Sequence, residues 1–254
     1  MRADKIAALR ASLERPGLPT GDSRAALGHD AADACLKGGL ARGVLHEVFA
    51  ASGHEASATG FAVGLVARVA GTKPVVWIRQ DYSALEFGEV SATGLLELGL
   101  DPARMILVYA AHAEDAVRAA SDALSCAALG AVVVEIPGRP KILDLVTSRR
   151  LTLASAQNGV TTVLLRFAAE PDASTAETRW LIRAAPSPPD EENWGKPAFD
   201  ASLVRNRHGR TGQWVMEWCC DDLVFRAAAA HRVAVVPAAF DRPPAAAPES
   251  RSAA

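Results

Sequence analysis

Four short runs of this chain carry apolar side chains at every position instead of every second one. They are Val75-Val76-Trp77-Ile78, Met105-Ile106-Leu107-Val108-Tyr109, Ala131-Val132-Val133-Val134 and Val163-Leu164-Leu165. A strand sends successive side chains to opposite faces, so runs of this kind are expected to be covered on both sides. Between them lie windows of helical period, at about 58–70, 83–98, 113–128 and 141–157. That alternation predicts a mainly parallel sheet with helices on both faces, a doubly wound α/β core. After residue 178 the rhythm changes. Arg179–Arg183, Ala201–Arg205 and Gln213–Trp218 tend to period two with no helix between them. They are expected as antiparallel strands added at the C-terminal edge, with His208-Gly209-Arg210-Thr211-Gly212 as a hairpin connection.

The first core strand, Val44-Leu45-His46-Glu47-Val48-Phe49, follows Gly38-Gly39-Leu40-Ala41-Arg42-Gly43 and leads through a loop into a helix. A phosphate-binding loop at such a junction reads G-x-x-x-x-G-K-[ST]. Its backbone N–H groups cradle the phosphates and its lysine neutralises the terminal ones. Residues 50–59 read AASGHEASAT, with one glycine and no lysine. The place of the loop is kept and its chemistry is gone.

A chain of 254 residues, half of them hydrophobic and 22% charged, has the composition of a globular domain with terminal extensions. Its formal charge of −2 gives the whole molecule no electrostatic basis for strong nucleic-acid binding. Cys35, Cys126, Cys219 and Cys220 form no C-x-x-C pair and read as reduced thiols of a cytoplasmic protein. No apolar run approaches the ~20 residues of a membrane span. Met1–Glu14 is charged and helical in period, with Ile6, Leu9 and Leu13 at helical spacing before Pro16-Gly17, unlike a secretory leader. The expected organisation is an N-terminal helix and linker over 1–35, a core over 36–232, and a disordered Ala/Pro-rich tail over 233–254.

The order of these motifs resembles the RecA recombinase family and its SOS-mutagenesis offshoot, the ImuA (SulA-like) family. The likeness covers about residues 36–226. It rests on GGL-x-x-G before the strand ending Glu47-Val48-Phe49, on VVWIRQD at 75–81, on LGLDPARMIL at 98–107, and on LGAVVVE at 129–135, where the second nucleotide motif stands. The resemblance implies a RecA-like fold and a part in DNA-damage-induced translesion mutagenesis. The partners it implies are an inactive Y-family polymerase relative (ImuB), an error-prone polymerase and RecA itself, with DNA contact indirect or weak and no membrane.

RecA-like ATPases hold magnesium with a P-loop hydroxyl and a strand-end aspartate. The matching positions here are Ser57 or Thr59 and Glu135, a vestigial nucleotide site whose acid is one methylene longer. Read without the resemblance, Glu135 is a strand-end acid hydrogen-bonded to a helix N-terminus, and Asp81 is the N-cap of the helix from 83. The family's nucleotide-sensing glutamine is replaced by Leu165-Arg166-Phe167-Ala168. The loop that lies against DNA in recombinases shrinks to residues 169–177, with three acids and no base. Together these departures imply an adaptor that needs no cofactor. Two other readings stay open. One is an ATPase with Thr59 and Glu135 on magnesium and Arg42 or Arg79 in place of the lysine. The other is an SOS-linked inhibitor of cell division, which rests on likeness alone.

Partner or DNA contact is assigned to Leu9 and Leu13 of the first helix and to Arg205, Arg207 and Arg210 around the hairpin turn. Lys141, Arg149 and Arg150 are candidates to extend that basic patch. Trp77, Trp180, Trp214 and Trp218 read as core. His46 has no Cys or His at ligand spacing and reads as a satisfied strand histidine, so no metal site is expected.

Overall fold

The computed structural model describes residues 24–187 and 195–228. The expected N-terminal helix with Leu9 and Leu13, and the expected tail, lie outside the described residues.

The described chain opens with β1 (Arg24–Ala25), α1 (Asp30–Cys35) and β2 (Leu40–Ala41), then β3 (Leu45–Ala50), α2 (Glu55–Ala70) and β4 (Val75–Gln80). Two short helices, α3 (Ser83–Phe87) and α4 (Ala92–Glu97), precede β5 (Met105–Ala110), α5 (Ala113–Ala123), β6 (Ala131–Glu135), α6 (Leu145–Asn158) and β7 (Thr161–Arg166). Four further strands close the described chain: β8 (Thr178–Ala184), β9 (Ala198–Asn206), β10 (Gly212–Cys219) and β11 (Val224–Ala227).

Nine strands form one sheet in the order β11-β10-β9-β8-β3-β7-β6-β4-β5. The pairs from β8 to β5 are parallel, and β9, β10 and β11 add antiparallel beyond β8. The fold is therefore α/β, a large mostly parallel sheet with antiparallel strands at one edge. Helix α2 covers one face, where Phe61, Leu65 and Val66 join Trp77, Val133, Leu165, Trp180, Trp218 and Phe225 in one core. On the other face Ala116, Val117 and Ala120 of α5 and Leu151 of α6 pack on Ile78, Val132, Val134 and Leu164.

Three of the four all-apolar runs are buried throughout their strands; the fourth is not. β5 is the edge strand, and Ile106 and Tyr109 are 53% and 48% exposed. Composition alone cannot distinguish an edge from a centre.

Two local expectations change. The part of the expected linker from Arg24 to Cys35 is ordered: β1 pairs with β2, Leu27 and Ala32 join the core, and the Asp33 carboxylate accepts from the N–H groups of Leu27 and Gly28. The helical window at 83–98 is broken in two. Gly88, at φ +83°, ends α3, and Ser91 caps α4 by accepting from the Gly94 N–H. The break places residues 88–91 beside the carboxyl ends of β4 and β6.

Candidate functional site

In an open α/β sheet, ligands sit outside the carboxyl ends of the parallel strands. At that edge β3 turns into α2 through Ala51–His54 alone, too short for a G-x-x-x-x-G stretch. Gly53 makes the turn at φ +77°, and its N–H donates to the Glu55 carboxylate at 3.3 Å. A carboxylate thus occupies the start of the helix, where the dipole favours an anion and a phosphate would otherwise rest. His54, at the N-cap position, makes no cap; its Nδ1 accepts from the Ala184 N–H at 3.1 Å.

Glu135 ends β6 and is 1% exposed. It meets no helix N-terminus. Arg79 on β4 donates to one of its oxygens at 3.0 Å, and Trp77 Nε1 donates to the other at 3.1 Å. The same guanidinium reaches the Gly88 carbonyl at 2.8 Å and the Glu89 carboxylate at 3.4 Å, and Tyr109 donates to Glu89 at 3.1 Å. The loop at 88–91 is tied down through Arg79. Thr59 and Glu135 do come together, on the wall of a cavity of about 200 Å³ shared with Arg79, Glu89, Phe87 and Phe167. Thr59 spends its hydroxyl proton on the Glu55 carbonyl at 3.0 Å. Ser57 lies half-buried outside that lining.

These residues do not fit a magnesium nucleotide. Both oxygens of the strand-end acid are occupied by donors within the fold, and releasing them would strand a buried guanidinium. Neither proposed substitute for the lysine is available. Arg79 is committed to Glu135, and Arg42 lies at the other end of α2. There its guanidinium donates to the carbonyls of Val69 (3.0 Å), Arg24 (3.1 Å) and Arg68 (3.3 Å). Helix α2 has 16 residues, so roughly 24 Å separates its two ends.

A second buried network crosses β3, β7 and β8 on the opposite face. Glu47 receives Arg179 Nε at 2.7 Å, and Arg179 also donates to Ser174 Oγ at 2.9 Å. Phe49 has the guanidinium carbons of Arg166 and Arg179 each 5.6 Å from its ring centroid. Burial pulls the pKa of Arg166 below the usual arginine range, with Glu47 and Asp172 opposing the shift. Two acids of the loop at 169–177, Glu170 and Asp172, are paired within the fold. Arg139, from the loop after β6, donates to Glu170 at 3.3 Å and to Asp172 at 3.1 Å, and it holds the Asp172 carboxyl below its ordinary pKa. His46 is satisfied as expected, its ring nitrogens 2.7 Å from Thr178 Oγ1 and 2.8 Å from the Ala41 carbonyl.

The arginine turn lies at the amino edge of the parallel strands, since Asn206 at the end of β9 pairs with Thr178 at the start of β8. Arg207 and Arg210 are exposed, but Arg205 is fastened to the Ser174 carbonyl at 2.7 Å. Lys141 follows β6 at the carboxyl edge, so it does not extend that patch. Asp81 is no cap either: its backbone N–H donates to the Ala110 carbonyl, and the N-cap position of α3 is Tyr82, which makes no side-chain cap.

The Trp77–Arg79–Glu135 network escaped the sequence reading. The available signal was that Trp77 and Arg79, two apart, share one face of β4. What the sequence lacked was the register that sets Arg79 beside Glu135. Among the described residues no group of three or more His, Cys, Asp or Glu is placed to hold a metal ion, and no helix is long and apolar enough to cross a membrane.

No protein-family model matches the chain. Protein ImuA of Caulobacter vibrioides strain NA1000 / CB15N is 32% identical to it over 208 residues, which span 75% of this chain and 81% of that protein. Protein ImuA of Caulobacter vibrioides strain ATCC 19089 / CIP 103742 / CB 15 matches with the same identity and coverage. A likeness of that depth, over most of both chains, shows that this chain belongs to the ImuA family.

Proposed function

We propose that the chain is a non-catalytic, RecA-like adaptor in DNA-damage-induced translesion mutagenesis, and that it works in the cytoplasm by binding a Y-family polymerase relative of the ImuB type, RecA, or both. Family membership supports the pathway. The observation that carries the non-catalytic part is the buried pair of Arg79 and Glu135, which closes the strand-end acid to a metal. The short turn at Ala51–His54, with Glu55 on its N–H, supports the same reading. A net charge of −2 favours protein over DNA as the primary partner. Leu9, Leu13, Arg207 and Arg210 remain the contact residues this reading nominates.

The test is to titrate the purified chain with the ImuB-type protein of the same genome, with and without ATP and magnesium, and to follow thermal unfolding alongside. The expected result is a complex indifferent to nucleotide and an unchanged melting temperature. A nucleotide at ~100 times its dissociation constant would add about 2.7 kcal/mol of stability. A rise of that size, or phosphate release abolished by Glu135→Gln, would sink the non-catalytic reading. Failure to bind the polymerase relative would sink the adaptor.

A further inference from the structure

The outer face of α6 exposes an apolar ridge in a basic setting. Leu145, Val146 and Leu153 are 52%, 65% and 54% exposed, three of the ten large apolar side chains open to solvent among the described residues. Val146 and Leu153 are two helical turns apart and line up, and the exposed Arg149 and Arg150 fall on either side of that line. The helix, LVTSRRLTLASAQN, contains no acid. Asp144 at its N-cap is engaged with the Thr147 N–H at 2.8 Å. Neither arginine makes an ion pair among the described residues, whereas Arg79, Arg118, Arg139 and Arg179 all do. Folding uses the other face of the helix, where Thr147, Ser148, Leu151 and Ser155 are buried.

The charge pattern identifies what would cover this ridge. Two aliphatic side chains between two guanidinium groups complement a helix whose apolar stripe is bordered by carboxylates. Arginine pairs with carboxylates in bidentate fashion and is the more weakly hydrated of the two basic side chains, which suits a contact that excludes water. A nucleic acid fits less well, because aliphatic side chains at the centre of the footprint meet no phosphate and the whole molecule carries a charge of −2. We propose that the outer face of α6 docks an acidic amphipathic helix of a protein partner, with Val146 and Leu153 as anchors and Arg149 and Arg150 setting its orientation. The surface is independent of the nucleotide position and of which protein supplies the helix.

The test uses the full chain and two labelled helical peptides, read by fluorescence anisotropy. One carries a leucine stripe flanked by glutamates, and the other is the same peptide with lysines in place of the glutamates. The expected result is roughly ten-fold tighter binding of the glutamate peptide, inverted in the Arg149→Glu/Arg150→Glu variant because like charges then face each other. Val146→Ala/Leu153→Ala should weaken both peptides by a similar factor with little change in melting temperature, since both positions are exposed and the change leaves the charge of the face as it was. No binding of the glutamate peptide, equal binding of the two, or an unaltered preference after charge reversal overturns the proposal. So does binding of a single-stranded oligonucleotide that needs the arginines and ignores Leu153, which would make the face a nucleic-acid surface. The assay contains no polymerase relative, so its outcome is separate from that of the adaptor reading.

Discussion

Arg79 and Glu135, register partners on adjacent parallel strands, are joined at 3.0 Å with each side chain 2% exposed. Glu135 also accepts from Trp77, and Arg79 also holds the carbonyl of Gly88. The strand-end acid of this edge is therefore a structural group that organises its neighbours.

Removing one member of the pair should cost far more than removing both. Glu135→Leu leaves a buried guanidinium with only the solvent-exposed Glu89 carboxylate as counter-charge, and is expected to lose roughly 3–5 kcal/mol. Adding Arg79→Leu should restore most of that loss, because two apolar side chains then replace a desolvated pair. Urea unfolding of both single variants and the double variant measures it. Strict additivity would show that the pair is not coupled.

His46 predicts an acid weakness. Burial lowers its pKa to about 4 from an ordinary 6.5, with the Ala41 carbonyl opposing the shift and Arg24 adding to it. The unfolded chain therefore takes the proton first as pH falls. The contribution is complete above pH ~6.5, declines from there, and is lost below about 4, to a total of about 3 kcal/mol. Unfolding free energies between pH 7 and 4 should fall more steeply in the parent than in His46→Asn. Parallel slopes would show that His46 does not titrate as its burial requires.

Gly64 sits in the interior of α2, where alanine would gain about 1 kcal/mol of helix propensity in isolation. Packing reverses the sign. A Cβ there would meet Phe225 Cζ at 2.5 Å and Trp218 Cε3 at 3.2 Å, both ring atoms of the aromatic cluster. Gly64→Ala should destabilise by about 1–3 kcal/mol, a fall readily seen in the thermal midpoint.

Arg42 ties the carboxyl end of α2 to β1 through three carbonyls. Arg42→Ala should cost about 2–3 kcal/mol by unfolding titration, since charged hydrogen bonds are lost and carbonyls are left without partners. Arg42→Lys should recover only part of it, because an ammonium cannot reproduce the planar fork. Full recovery by lysine would mean that charge alone is what matters at this position.

Much of the architecture was legible because it follows from short-range rules. Runs such as Val132-Val133-Val134 need cover on two faces, and the change of period after residue 178 marks the antiparallel strands. The ImuA likeness was legible in GGL-x-x-G, VVWIRQD and LGLDPARMIL, and relatives identical over 32% of 208 residues bear it out. The pairing of the strand-end acid was not legible. Thr59 and Glu135 share a cavity wall that Ser57 does not join, and what Glu135 touches was read wrongly. Asp81 and Arg42 were also misplaced: the helix starts at Ser83 as expected but its N-cap is Tyr82, one residue after Asp81, and Arg42 is displaced by the length of α2.

The sequence by itself determined the strands β3 to β10 and the helices α2, α5 and α6, and that the loop before α2 lacks the residues of a phosphate cradle. Side-chain period and residue type decide those matters within a few positions along the chain. Only the tertiary structure decided that β5 is an edge, that β4 lies against β6, and hence that Arg79 rather than a helix N-terminus neutralises Glu135. The reason is physical: strand order and register are set by closing long loops around two cores at once, and the partner of a buried charge is chosen by that closure across 56 residues of chain.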